Sequence, residues 1–496
     1  MIFKRSLLVI ITIISLSSVF FALGQSLNEP QVQSQLELYQ TNLILNTAEI
    51  NQSPSQESDE NLKNIAENLV GQNPYLVAKK QYQNTLDAVV KYQSQITAKN
   101  AVNVTETPRQ QIKESINTSQ ELIDNLIIKL GIINAVDNQE NIALQYWQKL
   151  PNSQTALTLN NLWKSPPVVD DKTEDIIKDN LDDWFELKAL ERLYTVENEE
   201  NKLLNIQLQQ QDFAQKATTR LIILSIIPFL GGIIGTGLII FLLIQLLLKK
   251  ERAILATNSN QSWELKWDWE TILVVLIIGF FFISQLLLPI LFSVIGFNPV
   301  DLSIRGKALY VLVSYFLMAG SGLLVLYWSI KSFFPLPEGW FKFRNKNWFW
   351  WGLGGYLTAI PLVFLVSFLN QQIWDGQGGS NPLLLLALES QDKVALFIFF
   401  VTASIAAPIF EEIIFRGFLL PSLTRYLPVW GAIIVSGVVF AIAHLSLAEV
   451  LPLATLGILL GIVYTRARSL LSSILVHSLW NSGTLFSLFL LGSKIS

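Results

Sequence analysis

Both histidines of this 496-residue chain lie near its C-terminal end, inside apolar sequence. Ionisable side chains in lipid-embedded segments are costly and commonly mark functional sites. His444 ends the run Phe-Ala-Ile-Ala-His, His477 begins the run His-Ser-Leu-Trp-Asn that ends at Asn481, and residues 411–416 read Glu-Glu-Ile-Ile-Phe-Arg. A carboxylate, an imidazole and side-chain donors are the groups needed to activate a water and to stabilise an oxyanion on a peptide carbonyl. The three motifs therefore predict a buried hydrolytic site.

The spacing within each motif is one helical turn. Glu412 and Arg416 are four residues apart, so they share a helix face and are predicted to form an ion pair. Glu411 points about 100° away from Glu412 and is left available for chemistry. The same spacing occurs in two further pairs, Phe440 with His444 and His477 with Asn481.

The helices that carry these motifs are predicted to cross a membrane. The chain is 51% hydrophobic and only 15% charged, which is too apolar for an ordinary soluble protein of this size. Apolar segments of about 17 to 25 residues are long enough to span a bilayer. The expected fold is therefore an all-α, polytopic helical membrane protein with about eight transmembrane helices. The predicted spans are 219–248, 271–297, 308–330, 348–369, 393–415, 429–446, 450–465 and 470–491.

The N-terminal part of the chain differs from the rest. Lys4 and Arg5 precede an apolar stretch with a small-residue exit at residues 22–24, which indicates a signal peptide or an N-terminal anchor. The region that follows is polar and helical in pattern. Loops on one side of the predicted spans carry eleven Lys and Arg residues against five on the other, so the richer side is predicted to be cytoplasmic. The polar region is then extracytoplasmic, on a protein of the plasma membrane or an equivalent membrane.

Composition also excludes several classes of function. A net charge of −4 provides no basic surface, so nucleic acid is not expected as a partner. The absence of cysteine excludes disulfides, thiol nucleophiles and cysteine-based zinc sites. The predicted domains are a targeting segment (1–25), a helical soluble region (26–218), accessory transmembrane helices (219–344) and a transmembrane catalytic domain (345–496).

The depth of the motif residues poses a geometric problem. Glu411 and His444 are 15 and 16 residues from the predicted turn at 426–428, so straight helices place both about 22 to 24 Å from it. His477 is only eight residues past Ser469 on the same predicted side, or about 12 Å. Straight helices therefore bring Glu411 level with His444 and leave His477 closer to the surface. A break in the first hairpin or a strong helix tilt would remove the difference.

At these motifs the chain resembles the CAAX prenyl protease and bacteriocin-processing family of intramembrane glutamic endopeptidases, also known as abortive-infection proteins. The family pattern is Glu-Glu-x-x-x-Arg, then Phe-x-x-x-His, then His-x-x-x-Asn, and the resemblance covers about residues 345–491. It implies that Glu411 is the general base, assisted by His444, and that His477 and Asn481 form an oxyanion hole. The implied mechanism is non-covalent hydrolysis without a cofactor.

The other motif residues are expected to have structural roles. The resemblance implies that Glu412 and Arg416 brace their helix, and Phe440 is expected to be a packing residue. The expected partners are a protein or peptide substrate, which could itself be membrane-bound, and the lipid bilayer. Three alternatives stay open: a zinc-dependent protease, a non-catalytic immunity or chaperone protein of the same fold, and a proton-coupled transporter.

Overall fold

The fold is helical throughout the part of the chain that the computed structural model describes. All its regular elements are helices, which confirms the all-α prediction. The predicted span end at 297 and the final residues of the predicted catalytic domain, 494–496, lie outside this part. The described residues are 2–27, 29, 31–51, 60–100, 106–296, 302–374, 377–380, 382–389 and 392–493.

Eighteen helices follow one another along the described residues, apart from short 3-10 turns. Helices α11 and α15 are continuous but contain π-helical turns, at Val274–Leu287 in α11 and at Thr402–Ala406 and Ile413–Leu419 in α15. The helices are α1 (Ile2–Ser26), α2 (Val32–Ala48), α3 (Glu60–Val70), α4 (Pro74–Asn100), α5 (Glu106–Val136), α6 (Glu140–Gln148), α7 (Gln154–Trp163), α8 (Thr173–Asn180), α9 (Asp183–Glu197), α10 (Glu200–Lys249), α11 (Trp269–Val294), α12 (Ile304–Ile330), α13 (Trp348–Trp374), α14 (Pro382–Glu389), α15 (Lys393–Leu423), α16 (Val429–Ile442), α17 (Leu447–Ala467) and α18 (Leu470–Gly492).

The chain divides into two compact units, and the one formed by residues 30–225 and 490–496 has its own core. An ion pair lies within it, with Lys188 Nζ 2.7 Å from Glu49 Oε2, and Trp184 Nε1 donates to the same carboxylate at 2.8 Å. Burial by itself would lower the pKa of Lys188, but the carboxylates around it raise that pKa above its ordinary value. The buried lysine is therefore satisfied by charge and by hydrogen bonds.

The other unit, residues 1–29 and 226–489, contains the membrane helices. Eight helices in the described residues are long and apolar enough to cross a membrane, which confirms the predicted number. Seven of them coincide with predicted spans, and α1 is the eighth. The predicted span 429–446 instead forms α16, whose 14 residues reach only about 21 Å. This helix ends before His444 because the chain turns there, with Leu445 at a φ of 59°.

Helix α1 belongs to the unit of the membrane helices. Val19 and Leu23 are buried in the core of that unit, and Arg5 forms a 2.6 Å ion pair with Glu270 at the start of α11. The small-residue exit at 22–24 lies inside the helix. The signal-peptide interpretation stays a prediction.

A close crossing of α16 and α17 sets the position of the second motif. A Cβ atom added to Gly437 would lie only 2.8 Å from the backbone nitrogen of Ile458. A Cβ atom added to Gly457 would lie 2.8 Å from the Gly437 carbonyl oxygen. Small residues allow membrane helices to approach this closely. Phe440, one turn after Gly437 on α16, packs against Phe415 and Arg416 of the helix that carries the first motif.

The turn between α17 and α18 removes the depth problem. Ser469 and Leu470 are fully buried, and residues 342–343 cover them: the Leu470 N–H donates to the Lys342 carbonyl at 2.9 Å. In contrast, Arg425 and Tyr426 in the turn before α16 are exposed. Because α18 starts from a buried turn, His477 reaches the level of Glu411 with fewer residues than a surface turn would need.

We predict that Gly437→Ala destabilises the membrane unit by about 1 to 3 kcal/mol, the usual cost of overpacking a close contact. Gly431→Ala on the same helix is the matched control, since its new carbon would lie 3.4 Å from its nearest neighbour, an ordinary contact. Thermal unfolding of both variants in detergent measures the difference. Equal melting temperatures would contradict the proposed importance of this crossing.

Candidate active site

Helix α15 carries the acidic pair of the first motif between two π-helical segments, and Arg416 lies within the second of them. Thr402–Ala406 precedes the acidic pair, and Ile413–Leu419 follows it directly. A π-helical turn is rare, occurs mainly as a bulge in an α-helix, and is frequent at functional sites. A π-helical turn has a different number of residues per turn from an α-helix, so the two segments change the directions of the side chains before and after Glu411 and Glu412.

Glu412 and Arg416 form the predicted ion pair, which is thereby confirmed. Arg416 Nη1 lies 2.8 Å from Glu412 Oε1, and both side chains are completely buried. Arg416 Nη2 also donates to the Gly457 carbonyl at 2.9 Å, and its guanidinium lies 4.5 Å from the centre of the Phe440 ring. Arg416 therefore connects α15 to α17 and packs on α16, and the Glu412 carboxylate compensates its charge.

His477 lies between the two carboxylates of the first motif. Its Nδ1 is 3.1 Å from Glu412 Oε1, and its Nε2 is 3.9 Å from Glu411 Oε2. A carboxylate paired with an arginine only accepts hydrogen bonds, so Nδ1 carries the proton of that contact. The Nε2 atom is then directed towards Glu411, at a separation that is too long for a direct hydrogen bond.

Glu411 has one oxygen bound and one oxygen without a partner. The Tyr315 hydroxyl donates to Glu411 Oε1 at 3.2 Å. Glu411 Oε2 is buried and has no hydrogen-bond partner among the described residues, although the side chain as a whole keeps 14% of its surface exposed. The unpartnered oxygen is the one that lies nearest His477.

His444 and Asn481 are held by backbone carbonyls. His444 Nδ1 is 2.8 Å from the Phe440 carbonyl, so Nδ1 donates, and Nε2 makes no hydrogen bond with the described residues. Its ring lies 4.9 Å from the Phe440 ring, which in turn lies 5.5 Å from the ring of His477. Asn481 Nδ2 donates to the Ala403 carbonyl at 2.7 Å, in the first π segment.

The structure thus brings the predicted residues together to different extents. Glu411, Glu412, Arg416 and His477 form one contiguous cluster, and Phe440 packs against it. Within the described chain, His444 makes no hydrogen bond or ion pair with Glu411. The described residues contain no group of three His, Asp or Glu side chains close enough to hold a metal ion.

Tyr315 was missed by the sequence analysis. It lies on α12, 96 residues before Glu411, in a segment without a recognisable motif. A tyrosine in an apolar helix usually has a partner for its hydroxyl, and that expectation was the only signal available. The carbonyls of Gly457 and Ala403 were also missed, because backbone acceptors leave no mark in a sequence.

The class of protein is defined by this arrangement: a polytopic helical membrane protein with a buried cluster of two carboxylates, an arginine and a histidine. Comparison with known proteins agrees. Residues 393–483 match the family described as type II CAAX prenyl endopeptidase Rce1-like. Residues 393–483 are therefore similar to this family, which supports an intramembrane protease function.

Two curated relatives were found. The membrane-embedded CAAX protease MroQ of Staphylococcus aureus (strain USA300) is 26% identical over 220 residues, which are 43% of this chain and 86% of the relative. The putative membrane peptidase YdiL of Bacillus subtilis (strain 168) is 26% identical over 132 residues, which are 27% of this chain and 53% of the relative. No solved structure matches the chain.

We predict that Arg416→Met lowers the stability of the membrane unit by about 3 to 5 kcal/mol, because it leaves the buried Glu412 carboxylate without its cation. The double variant Glu412→Gln with Arg416→Met should recover part of this loss, since no unpaired charge then remains. Thermal unfolding in detergent of these proteins and of the single variant Glu412→Gln completes the cycle. Additive losses in the double variant would contradict the ion pair.

Proposed function

We propose that this protein is an intramembrane endopeptidase that hydrolyses a peptide bond with a water activated by Glu411. The observation that carries the proposal is the gap between Glu411 Oε2 and His477 Nε2. These atoms are 3.9 Å apart, and Oε2 has no partner in the described residues. A water placed between them would hydrogen-bond to both at ordinary distances.

The proposed reaction needs no covalent enzyme intermediate. Glu411 Oε2 takes a proton from the water as its oxygen attacks the scissile carbonyl carbon, and the carbonyl electrons move onto oxygen. The oxyanion then collapses, the carbon–nitrogen bond breaks, and the proton on Glu411 passes to the leaving amine. The products are a new carboxyl terminus and a new amino terminus. His444, whose Nδ1 is bound to the Phe440 carbonyl, is proposed to assist in the proton transfers through Nε2.

Stabilisation of the oxyanion is assigned to His477 and Asn481. To donate through Nε2, His477 must carry protons on both ring nitrogens, and Glu412 accepts from the proton on Nδ1. Asn481 uses one amide N–H for Ala403 and retains a second N–H. Glu412 and Arg416 therefore support the reaction by holding His477 rather than by touching the substrate.

We predict that Glu411→Gln lowers the rate of peptide hydrolysis by about 10²- to 10⁴-fold, the range expected for loss of a general base. The assay uses purified full-length protein in liposomes and a library of internally quenched peptides, half of them with a farnesylated cysteine near the C-terminus. The farnesylated peptides test whether the protein accepts a prenylated substrate, because the family is described as a CAAX prenyl endopeptidase and one relative as a CAAX protease.

The matched control is Glu338→Gln, which removes an exposed carboxylate far from the motifs in sequence and should leave the rate unchanged. Retention of hydrolysis by Glu411→Gln would overturn the proposed mechanism. Failure of the wild-type protein to cleave any peptide, with an unaltered cellular phenotype for Glu411→Gln, would favour the non-catalytic immunity or chaperone function.

We also propose the arrangement of the chain in the membrane. Residues 26–218 would form a soluble region outside the cytoplasm, 219–344 the accessory helices and 345–496 the catalytic domain. The asymmetry of Lys and Arg between the loops supports this orientation. The proposed partners are a peptide or protein substrate and the surrounding lipid.

The absence of cysteine makes the orientation directly measurable. We predict that a single cysteine at the exposed Asp171 reacts with a membrane-impermeant maleimide on intact cells, whereas one at the exposed Glu251 reacts only after permeabilisation. Labelling is read as a mass shift of the purified protein, with the cysteine-free chain as the blank. The reverse labelling pattern would contradict the proposed orientation.

A further inference from the structure

We propose that Tyr315 is a positioning residue for Glu411, so that the accessory helix α12 forms part of the active site. This inference rests on the proposed function. The domain matched to the protease family covers residues 393–483 and does not include Tyr315. The tyrosine hydroxyl is nevertheless the hydrogen-bond donor that the described residues supply to the Glu411 carboxylate, at 3.2 Å from Oε1.

The geometry favours the carboxylate over the alternative acceptor. The Ala407 carbonyl lies 3.5 Å from the Tyr315 hydroxyl, at the limit for a hydrogen bond, whereas Glu411 Oε1 is closer and carries charge. A tyrosine has one proton to donate, and hydrogen bonds to ionised acceptors are the stronger ones. The proton is therefore assigned to Glu411.

Tyr315 is held by the packing of α12 on α15. Its ring meets Phe410, the residue before Glu411, edge to face with ring centres 6.1 Å apart. A Cβ atom added to Gly322 would lie 3.0 Å from the same Phe410 ring and 2.9 Å from the Gly279 carbonyl oxygen. Helices α11, α12 and α15 therefore meet closely here. The hydroxyl is consequently fixed by the helices rather than by a flexible loop.

The two oxygens of the Glu411 carboxylate therefore have different roles, since Oε1 binds Tyr315 and Oε2 is available to the water. Because Tyr315 engages Oε1, rotation of the carboxyl group is restricted and Oε2 stays directed at His477 Nε2, 3.9 Å away. Oε2 has no hydrogen-bond partner in the described part of the chain and is left for the water. Holding a reacting group in one orientation contributes to catalysis by removing unproductive geometries. Tyr315 acts in this way without contacting the substrate.

Tyr315→Phe tests the proposal, because it keeps the ring against Phe410 and removes only the hydroxyl. On the peptide that the wild-type protein cleaves, kcat should fall by about tenfold, as expected for one hydrogen bond to a charged group, while KM stays unchanged. Melting temperature should also stay unchanged. Tyr327→Phe is the matched control, since it removes a hydroxyl from a 54% exposed tyrosine of the same helix.

A second measurement does not depend on activity. The infrared difference between wild-type protein and Glu411→Gln isolates the Glu411 carboxylate band, and the same difference in the Tyr315→Phe background should show that band shifted. The proposal would be overturned by a wild-type kcat for Tyr315→Phe or by an unshifted carboxylate band. It would also be overturned if the fall in kcat were accompanied by a fall in melting temperature. Hydrolysis retained by Glu411→Gln would instead refute the proposed function itself.

Discussion

The Glu412 carboxylate is a buried anion on which the rest of the site depends. Taking a carboxylate out of water is costly unless charge and hydrogen bonds compensate it. Arg416 supplies the charge at 2.8 Å, and His477 supplies a donor at 3.1 Å. Because Arg416 also binds the Gly457 carbonyl, one carboxylate fixes the relative positions of α15, α17 and α18.

This constraint explains why two adjacent glutamates have different chemistry. Glu412 is completely buried, and Arg416 and His477 both contact its Oε1. Its Oε2, like Glu411 Oε2, has no hydrogen-bond partner in the described residues, so the two glutamates differ in exposure and in their charged partners. Glu411, on a different face of the same helix, keeps an unpartnered oxygen and a partly exposed side chain. The ion pair thereby sets the imidazole of His477 in place for its neighbour.

The surrounding architecture serves the same geometry. Gly437 and Gly457 allow α16 and α17 to touch, which brings the Phe440 ring between the two imidazoles and against Arg416. The buried turn at Ser469 and Leu470 starts α18 below the protein surface, so that His477 meets α15. The glycine crossing and the buried turn both depend on close backbone packing. Membrane helices associate largely through such packing, because the hydrophobic effect between helices is weak in lipid.

Much of this could be predicted from the sequence. Apolar length predicted seven of the eight long apolar helices, and i to i+4 spacing predicted the Glu412–Arg416 pair, because both follow from local helix geometry. The length of α16 was not predicted, since the turn at Leu445 is set by tertiary contacts. The contact of His477 with Glu412 was also missed, because the spacing within its own motif directed attention to Asn481. Tertiary partners such as Tyr315 leave no periodic signal.

The central claim is that Glu412 fixes His477 with the proton on Nδ1, and nitrogen NMR tests it directly. With only two histidines in the chain, ring-¹⁵N-labelled protein gives few resonances, and a His444→Gln sample assigns them. The account predicts a protonated Nδ1 on His477 whose resonance moves in Glu412→Gln. A neutral ring with its proton on Nε2 alone, unaffected by Glu412→Gln, would contradict it.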